Sequence, residues 1–228
     1  MDHPTVAVLL NNLATLLQVT KRLDEAEPLL RRALAIEELN FGPHHPNVAR
    51  GLNNLGMWLQ SMNRLSEAEA LLNRALAIDE RNFEPDHPNV ATRLNNIAQL
   101  LHVTNRWKEA EPLMRRALAI DEKSFGPDHP NTARDICNFA RLLQDTDRLA
   151  EAEPLMRRSV EIFFRFAQST GHEYPHGQIA LLNFSALCKT SGMSVGEIRT
   201  KLEQPRTAAM LDEKIFQSLL AAAGLVLQ

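Results

Sequence analysis

The sequence predicts an all-α protein, a solenoid of stacked helix-turn-helix repeats, on three observations. The dipeptide His-Pro recurs at His3, His45, His87 and His129, each time 42 residues on. Every copy is followed by a Leu-, Ile- or Phe-containing block and then by Glu-Ala-Glu, at Glu25, Glu67, Glu109 and Glu151. Within a copy the apolar residues fall at i, i+3, i+4 and i+7, the spacing of one helix face and not of a strand. The composition agrees, with 44% hydrophobic but only 5% aromatic residues and an abundance of the strong helix formers Leu and Ala.

The first helix of each unit, helix A, spans roughly Pro4 to Gln18 in the first copy, with Leu10, Leu13, Ala14 and Leu17 on one face. Pro4, Pro46, Pro88 and Pro130 suit its first turn, where a missing N–H costs nothing. A polar break at Thr20-Lys21-Arg22 precedes helix B, whose stripe is Leu23, Ala26, Leu30, Ala33 and Ile36. Gly42-Pro43 or its equivalents end the unit. Pro28, Pro112 and Pro154 fall inside the apparent start of helix B, so that helix either begins later or bends there. The small residues Ala14, Gly56, Ala98 and Ala140 in helix A and Ala26, Ala68, Ala110 and Ala152 in helix B leave room for close helix contact.

This spacing of large, Leu, small and large residues, then Ala in helix B, resembles the tetratricopeptide repeat family, with Leu17, Leu59, Leu101 and Leu143 where an aromatic is usual. The unit is longer than the common one of about 34 residues. With Asn-Asn-Leu-Ala in helix A, Glu-Ala-Glu-Pro-Leu in helix B and a Phe-Gly-Pro-Asp-His-Pro connector, it is similar to the repeats of kinesin light chains and their bacterial relatives. The resemblance implies a right-handed α-solenoid whose A helices line a concave ligand-binding surface.

Four repeats are expected at 3–44, 45–86, 87–128 and 129–170. Beyond them the pattern decays. Phe163-Phe164-Arg165-Phe166 interrupts the regular end of helix B, and Gly171-His172-Glu173 inserts three residues. Leu181, Phe184, Ser185 and Cys188 then resume the helix A spacing, which makes 171–204 a degenerate fifth repeat. Gln204-Pro205 is read as a break before a capping helix, within 205–228 and about Thr207 to Leu227, that covers the apolar end of the array with Met210, Leu211, Ile215, Phe216, Leu219 and Leu220.

Several functional classes are disfavoured. A net charge of -3 and a pI near 6.2 supply no basic field for nucleic acid. No apolar run reaches the roughly 20 residues of a membrane span, and no secretory leader is visible. Cys137 and Cys188 lack metal-ligand spacing, which fits a cytoplasmic, reducing setting. No phosphate loop, zinc-protease motif or nucleophile elbow is present, so no catalytic residue, cofactor or metal is assigned. The His-Pro histidines read as helix-start residues, and Glu27 with Arg31, Glu111 with Arg115 and Glu153 with Arg157 as solvated i, i+4 pairs.

What remains is the face of helix A opposite its core stripe, which carries Asn12, Asn54, Asn96 and Asn138 at one register. In the family an Asn here grips ligand backbone, for which an amide that both donates and accepts is suited. The competing reading ties one helix to the next through the same amides. Arg50, Arg93, Arg134 and Arg141 outnumber Asp135 on these helices, so the surface is expected to be locally positive and to take an acidic segment. The alternative is that the arginines only solubilise. The expected peptide-binding residues are Asn12, Arg50, Asn54, Asn96, Gln99, Arg134, Asn138 and Arg141. The leading function is a protein-protein interaction module for an acidic peptide or protein segment, with no nucleic-acid or membrane partner. The alternative is a structural or sensing arm of a larger protein. Apolar helix A of repeat 1 has no polar cap ahead of it, which adds self-association through the N-terminal repeat as an expectation.

Overall fold

The computed structural model describes residues 3–171 and 175–225. Among the described residues there are eleven α-helices and no strand: α1 (Pro4–Val19), α2 (Leu23–Phe41), α3 (Pro46–Ser61), α4 (Leu65–Asn82), α5 (Pro88–Val103), α6 (Trp107–Phe125), α7 (Pro130–Asp145), α8 (Leu149–Thr170), α9 (Pro175–Thr190), α10 (Val195–Ala209) and α11 (Glu213–Ala222). The chain divides inside α6 into two compact units, Met1–Leu113 and Met114–Gln228.

The repeated motifs set the helix ends. His3, His45, His87 and His129 are the N-caps of α1, α3, α5 and α7, each ahead of a proline at the first helical position. In each, Nδ1 accepts the backbone N–H two residues on, at 3.2, 3.1, 3.1 and 3.1 Å. An accepting Nδ1 places the neutral ring's proton on Nε2. The rings of His45, His87 and His129 stack on Phe41, Phe83 and Phe125 at 4.7, 4.1 and 4.7 Å, so the connector phenylalanine orients the cap. Between helices A and B the chain turns through a left-handed residue, Lys21, Asn63, Asn105 or Asp147. Asn and Asp tolerate that conformation, and only Lys21 lacks their short polar side chain.

Of the two expectations for the helix B prolines, a later start is excluded: α2, α6 and α8 begin at Leu23, Trp107 and Leu149 and run through Pro28, Pro112 and Pro154. Each proline stands just beyond the first turn, where it forfeits one backbone bond near a helix end. Gly42 and Gly126 take positive φ after α2 and α6. Glu84 occupies that register after α4, and the helix ends earlier, at Asn82 with Phe83 extended.

In the first unit α1 pairs with α2, α3 with α2 and α4, and α5 with α4. The small residues are where helices approach. A Cβ on Gly56 would come within 2.9 Å of Leu72 Cγ and 3.4 Å of the Ala68 carbonyl oxygen. Ala68 is fully buried. Ala68→Leu therefore forces a larger group between backbones, and a loss of about 1–3 kcal/mol in thermal or denaturant unfolding is expected; an unchanged midpoint would contradict this packing. One residue of the expected core stripe departs from it: Leu13 is largely exposed, whereas its counterparts Leu55 and Ile97 are buried. Helices α3 and α5 each pack on the helix B before them, a contact with no counterpart at α1 among the described residues.

The second unit corrects the sequence reading in three places. The Phe163-Phe164-Arg165-Phe166 run does not interrupt its helix; α8 continues to Thr170 and ends at left-handed Gly171, with Phe163 and Phe164 buried. Residues 172–174, which hold part of the expected insertion, lie outside the described residues. Pro205 does not break the chain: α10 opens on a Ser194/Glu197 capping box and passes through a buried Pro205 to Ala209. The reversal comes at Met210, which takes the left-handed conformation and is 84% exposed, so it is no part of the apolar cover. Leu211, Phe216, Leu219 and Leu220 are buried, as expected of a closing helix. Phe216 meets Phe164 edge-on at 5.8 Å, and the Arg206 guanidinium lies 5.2 Å over its ring. The expected end of this helix near Leu227 is outside the described residues; α11 stops at Ala222.

Candidate functional site

The outward faces of the A helices carry the candidate residues in the expected register. In the first unit Asn12 and Arg50 are exposed and Asn54, Asn96 and Gln99 half-buried; in the second, Arg141 is exposed and Arg134 and Asn138 half-buried. Helices α1, α3 and α5 contain no acidic residue.

The amides are in part structural. Asn96 Nδ2 donates to Asn53 Oδ1 at 2.7 Å, tying α5 to α3. In α9 Asn183 Nδ2 donates to Cys137 Sγ at 3.2 Å, the same tie with a thiol in place of the first asparagine. The Cys137 thiol in turn donates to Met156 Sδ at 3.8 Å, and burial pushes its pKa and that of Cys188 up, away from the nucleophilic thiolate.

The arginines are also engaged, by acids that the sequence reading missed. Glu37, Asp79 and Asp121 stand at one register near the ends of α2, α4 and α6, and all three are buried. Each is answered from the next helix A. Arg50 Nη2 lies 3.4 Å from Glu37 Oε1, with half of the Arg50 side chain still exposed. Arg93 Nε donates to Asp79 Oδ2 at 2.8 Å, and both partners are buried. Arg134 Nη2 lies 3.1 Å from Asp135 Oδ1 and 3.8 Å from Asp121 Oδ2. Arg93 and Asp135, counted on the surface from sequence, are therefore interior residues.

One slot on helix A explains the differences. Opposite Glu37 it holds Gly51, where a Cβ would overlap Glu37 Oε2. Opposite Asp79 it holds Arg93, and opposite Asp121 it holds Asp135, a second acid. Burial pushes the Glu37, Asp79 and Asp121 carboxyls up, against the pull of their arginines and, for Asp121, of Asp135. For Asp135, burial and the neighbouring Asp121 outweigh Arg134 and raise it to about 7. Asp121 Oδ1 and Asp135 Oδ2 are buried without a donor. Two carboxylates offer only acceptors, so the pair is satisfied when it holds a proton. The signal was legible as an acid following Ile36, Ile78 and Ile120, seven residues beyond Leu30, Leu72 and Met114 and hence on the core face.

The Glu-Ala-Glu motif is an ion-pair clamp. Arg64 bonds Glu67 at 2.7 Å and, from the next helix B back, Glu27 at 2.8 Å; Arg106 does the same with Glu109 and Glu69, at 2.8 Å each. Glu27 also keeps the expected Arg31 at 2.8 Å. Glu153 instead pairs with Lys201 at 3.1 Å, while Arg157 reaches Gln204. Among the described residues no three His, Cys, Asp or Glu side chains are grouped to hold a metal ion, and no helix is long and apolar enough to cross a membrane.

The Tetratricopeptide repeat profile matches residues 5–81, 64–123 and 94–163, more than half of the chain. The chain belongs to the tetratricopeptide repeat family. Repeats of this family generally mediate protein-protein interaction, on a scaffold that is not itself catalytic. Solved tetratricopeptide-type structures share the fold. A kinesin light chain-type protein of Podosopora anserina with nearly identical TPR-like repeats superposes with a TM-score of 0.70 at 23% identity, over 91% of this chain and 97% of that one. BtubC (BKLC) from P. vanneervenii gives 0.72 at 21% identity, over 98% and 84%. No curated protein sequence matches the chain.

Proposed function

We propose that this tetratricopeptide chain is an interaction module that takes an acidic peptide or protein segment on the outward faces of its A helices. The observation that carries the reading is the absence of any acidic residue from α1, α3 and α5 in a chain whose net charge is -3. Arg50 keeps half its side chain exposed there, beside Asn12, Asn54 and Gln99. On the second unit Arg141 and Asn138 offer a patch of the same kind, and Arg134 contributes what Asp135 and Asp121 leave of its charge. The amides serve an extended main chain, and those already bonded, such as Asn96, exchange that bond for a ligand's. The array is read as four full repeats, a degenerate fifth and a closing helix. The two unpaired, buried thiols support a cytoplasmic setting.

The test is a peptide-array screen followed by titration calorimetry at low and high salt. Acidic peptides are expected to bind and to weaken with salt, since such attraction is screened over about 8 Å at physiological ionic strength. Arg50→Gln combined with Arg141→Glu should weaken binding by about tenfold or more; because Arg50 also answers the buried Glu37, the pair is read beside Arg141→Glu alone, which should weaken binding and leave the melting midpoint in place. A preference for basic or neutral peptides, or a double variant that binds like the parent, would overturn the reading.

A further inference from the structure

Arg50 and Arg134 stand at one register of their A helices, opposite Glu37 and Asp121. They differ in how far they are drawn in. Arg50 meets one carboxylate, at 3.4 Å, and keeps 50% of its side chain exposed. Arg134 meets two and keeps 30%. The second is Asp135, in the slot that Gly51 occupies on α3. Its Oδ1 accepts from Arg134 Nε and Nη2 at 3.2 and 3.1 Å, and its side chain is fully buried.

One proton sets the charge of this cluster. Asp121 Oδ1 and Asp135 Oδ2 are buried without a donor, and a proton held by the pair supplies one. With it the pair carries a single negative charge, which Arg134 cancels. Without it the pair carries two, and one of them is left beneath the outward face. Burial foremost, together with Asp121, raises Asp135 to about 7 against the pull of Arg134. The other group acting on the pair is His129, the cap of α7, which draws Asp121 down. From α6, Arg115 lies over the Phe139 ring at 4.6 Å. In their contacts with α7, α8 and α9 bring uncharged groups: Ser159 Oγ donates to the Ala133 carbonyl, and Met156 and Asn183 meet the Cys137 sulfur.

We propose that this proton regulates the outward face of α7: while the Asp121 and Asp135 pair holds it, Arg134 can turn to an acidic segment, and once it leaves, Arg134 is held to the pair and the segment is repelled. The ligand clause rests on the acidic-segment reading above, whereas the hold on Arg134 stands without it. By linkage, an acidic ligand bound there takes up a proton at the pair, since negative charge outside favours neutralisation inside. The device belongs to this repeat because the same slot holds Arg93 opposite Asp79 and Gly51 opposite Glu37, and neither is a second acid.

Two readouts on the 228-residue chain separate the two claims. Without ligand, phenylglyoxal modification of Arg134 relative to Arg141, mapped by mass spectrometry, should fall by about threefold or more from pH 6 to pH 8. In Asp135→Asn, which carries no proton to lose, the ratio should be the same at both. With ligand, the probe is a rhodamine-labelled hexa-aspartate peptide, ionised throughout because a free aspartate titrates near about 3.9. Between pH 8 and pH 6 the parent should gain about fivefold more affinity for it than Asp135→Asn does. His129 is present in both chains, so its own response cancels in that comparison. A ratio that is flat in the parent, a ratio that changes as much in Asp135→Asn, or equal affinity gains in the two chains would each overturn the inference. A ratio that changes as expected with no peptide bound at either pH would support the hold on Arg134 and overturn the acidic-segment reading instead.

Discussion

Arg93→Met is expected to lower the stability of the chain by about 3–5 kcal/mol, a large loss for a single side chain on an A helix. The pair it breaks is interior: Arg93 Nε and Asp79 Oδ2 are 2.8 Å apart, with side-chain exposures of 8% and 1%. Methionine fills much of the same space, so the loss comes from Asp79, left buried without its cation. Burial already pushes the Asp79 carboxyl up, and Arg93 is what opposes that push. The deficit should therefore be largest near neutral pH and narrow as the pH falls and Asp79 takes up a proton. Denaturant unfolding of parent and variant at two pH values measures both effects. A variant within about 1 kcal/mol of the parent at neutral pH would show that the pair contributes little.

Asp135→Asn is expected to flatten the chain's response to alkali. The folded-state pKa of Asp135, about 7, lies above the roughly 3.9 of an unfolded aspartate. The native state consequently binds the extra proton between these values, so stability falls as pH rises through that window and levels off above the folded pKa. From pH 5 to pH 8 the loss is on the order of 2 kcal/mol. Carboxylates held low by arginine, such as Glu25, Glu67, Glu109 and Glu151, act in the opposite sense. Their contribution is present above the unfolded pKa and is lost only as pH drops below about 4.3, outside this window. An asparagine at position 135 is neutral throughout and can donate to Asp121. Its melting temperature should thus vary much less between pH 5 and 8 and exceed the parent's at pH 8. A parent and variant with parallel pH profiles would contradict a shared proton at Asp121 and Asp135.

The periodic features were readable because each is a local rule repeated in register. His-Pro followed by an apolar stripe marks a helix start whatever surrounds it, and the structure places a capped helix at all four. The aromatic run at Phe163 and the proline at Pro205 misled for a shared reason: tolerance of Phe or Pro in a helix depends on the neighbours. Phe164 is held by Phe216, and Pro205 is buried where α10 packs on α8. The surface charge reading erred in the same way, since Arg93 and Asp135 look like solvated residues until Asp79 and Asp121 are brought opposite them.

The sequence by itself determined the helical class, the repeat register, the helix starts and the positions of the small residues, because spacing and capping act over a few residues of chain. Tertiary structure alone decided which charges are interior and which amides are already bonded. It also decided that one slot on helix A serves as a gap at Gly51, a counter-ion at Arg93 and a proton site at Asp135. Each of these depends on a helix from another repeat, and the energy of a buried charge is set by what lies across the contact rather than by its neighbours in sequence.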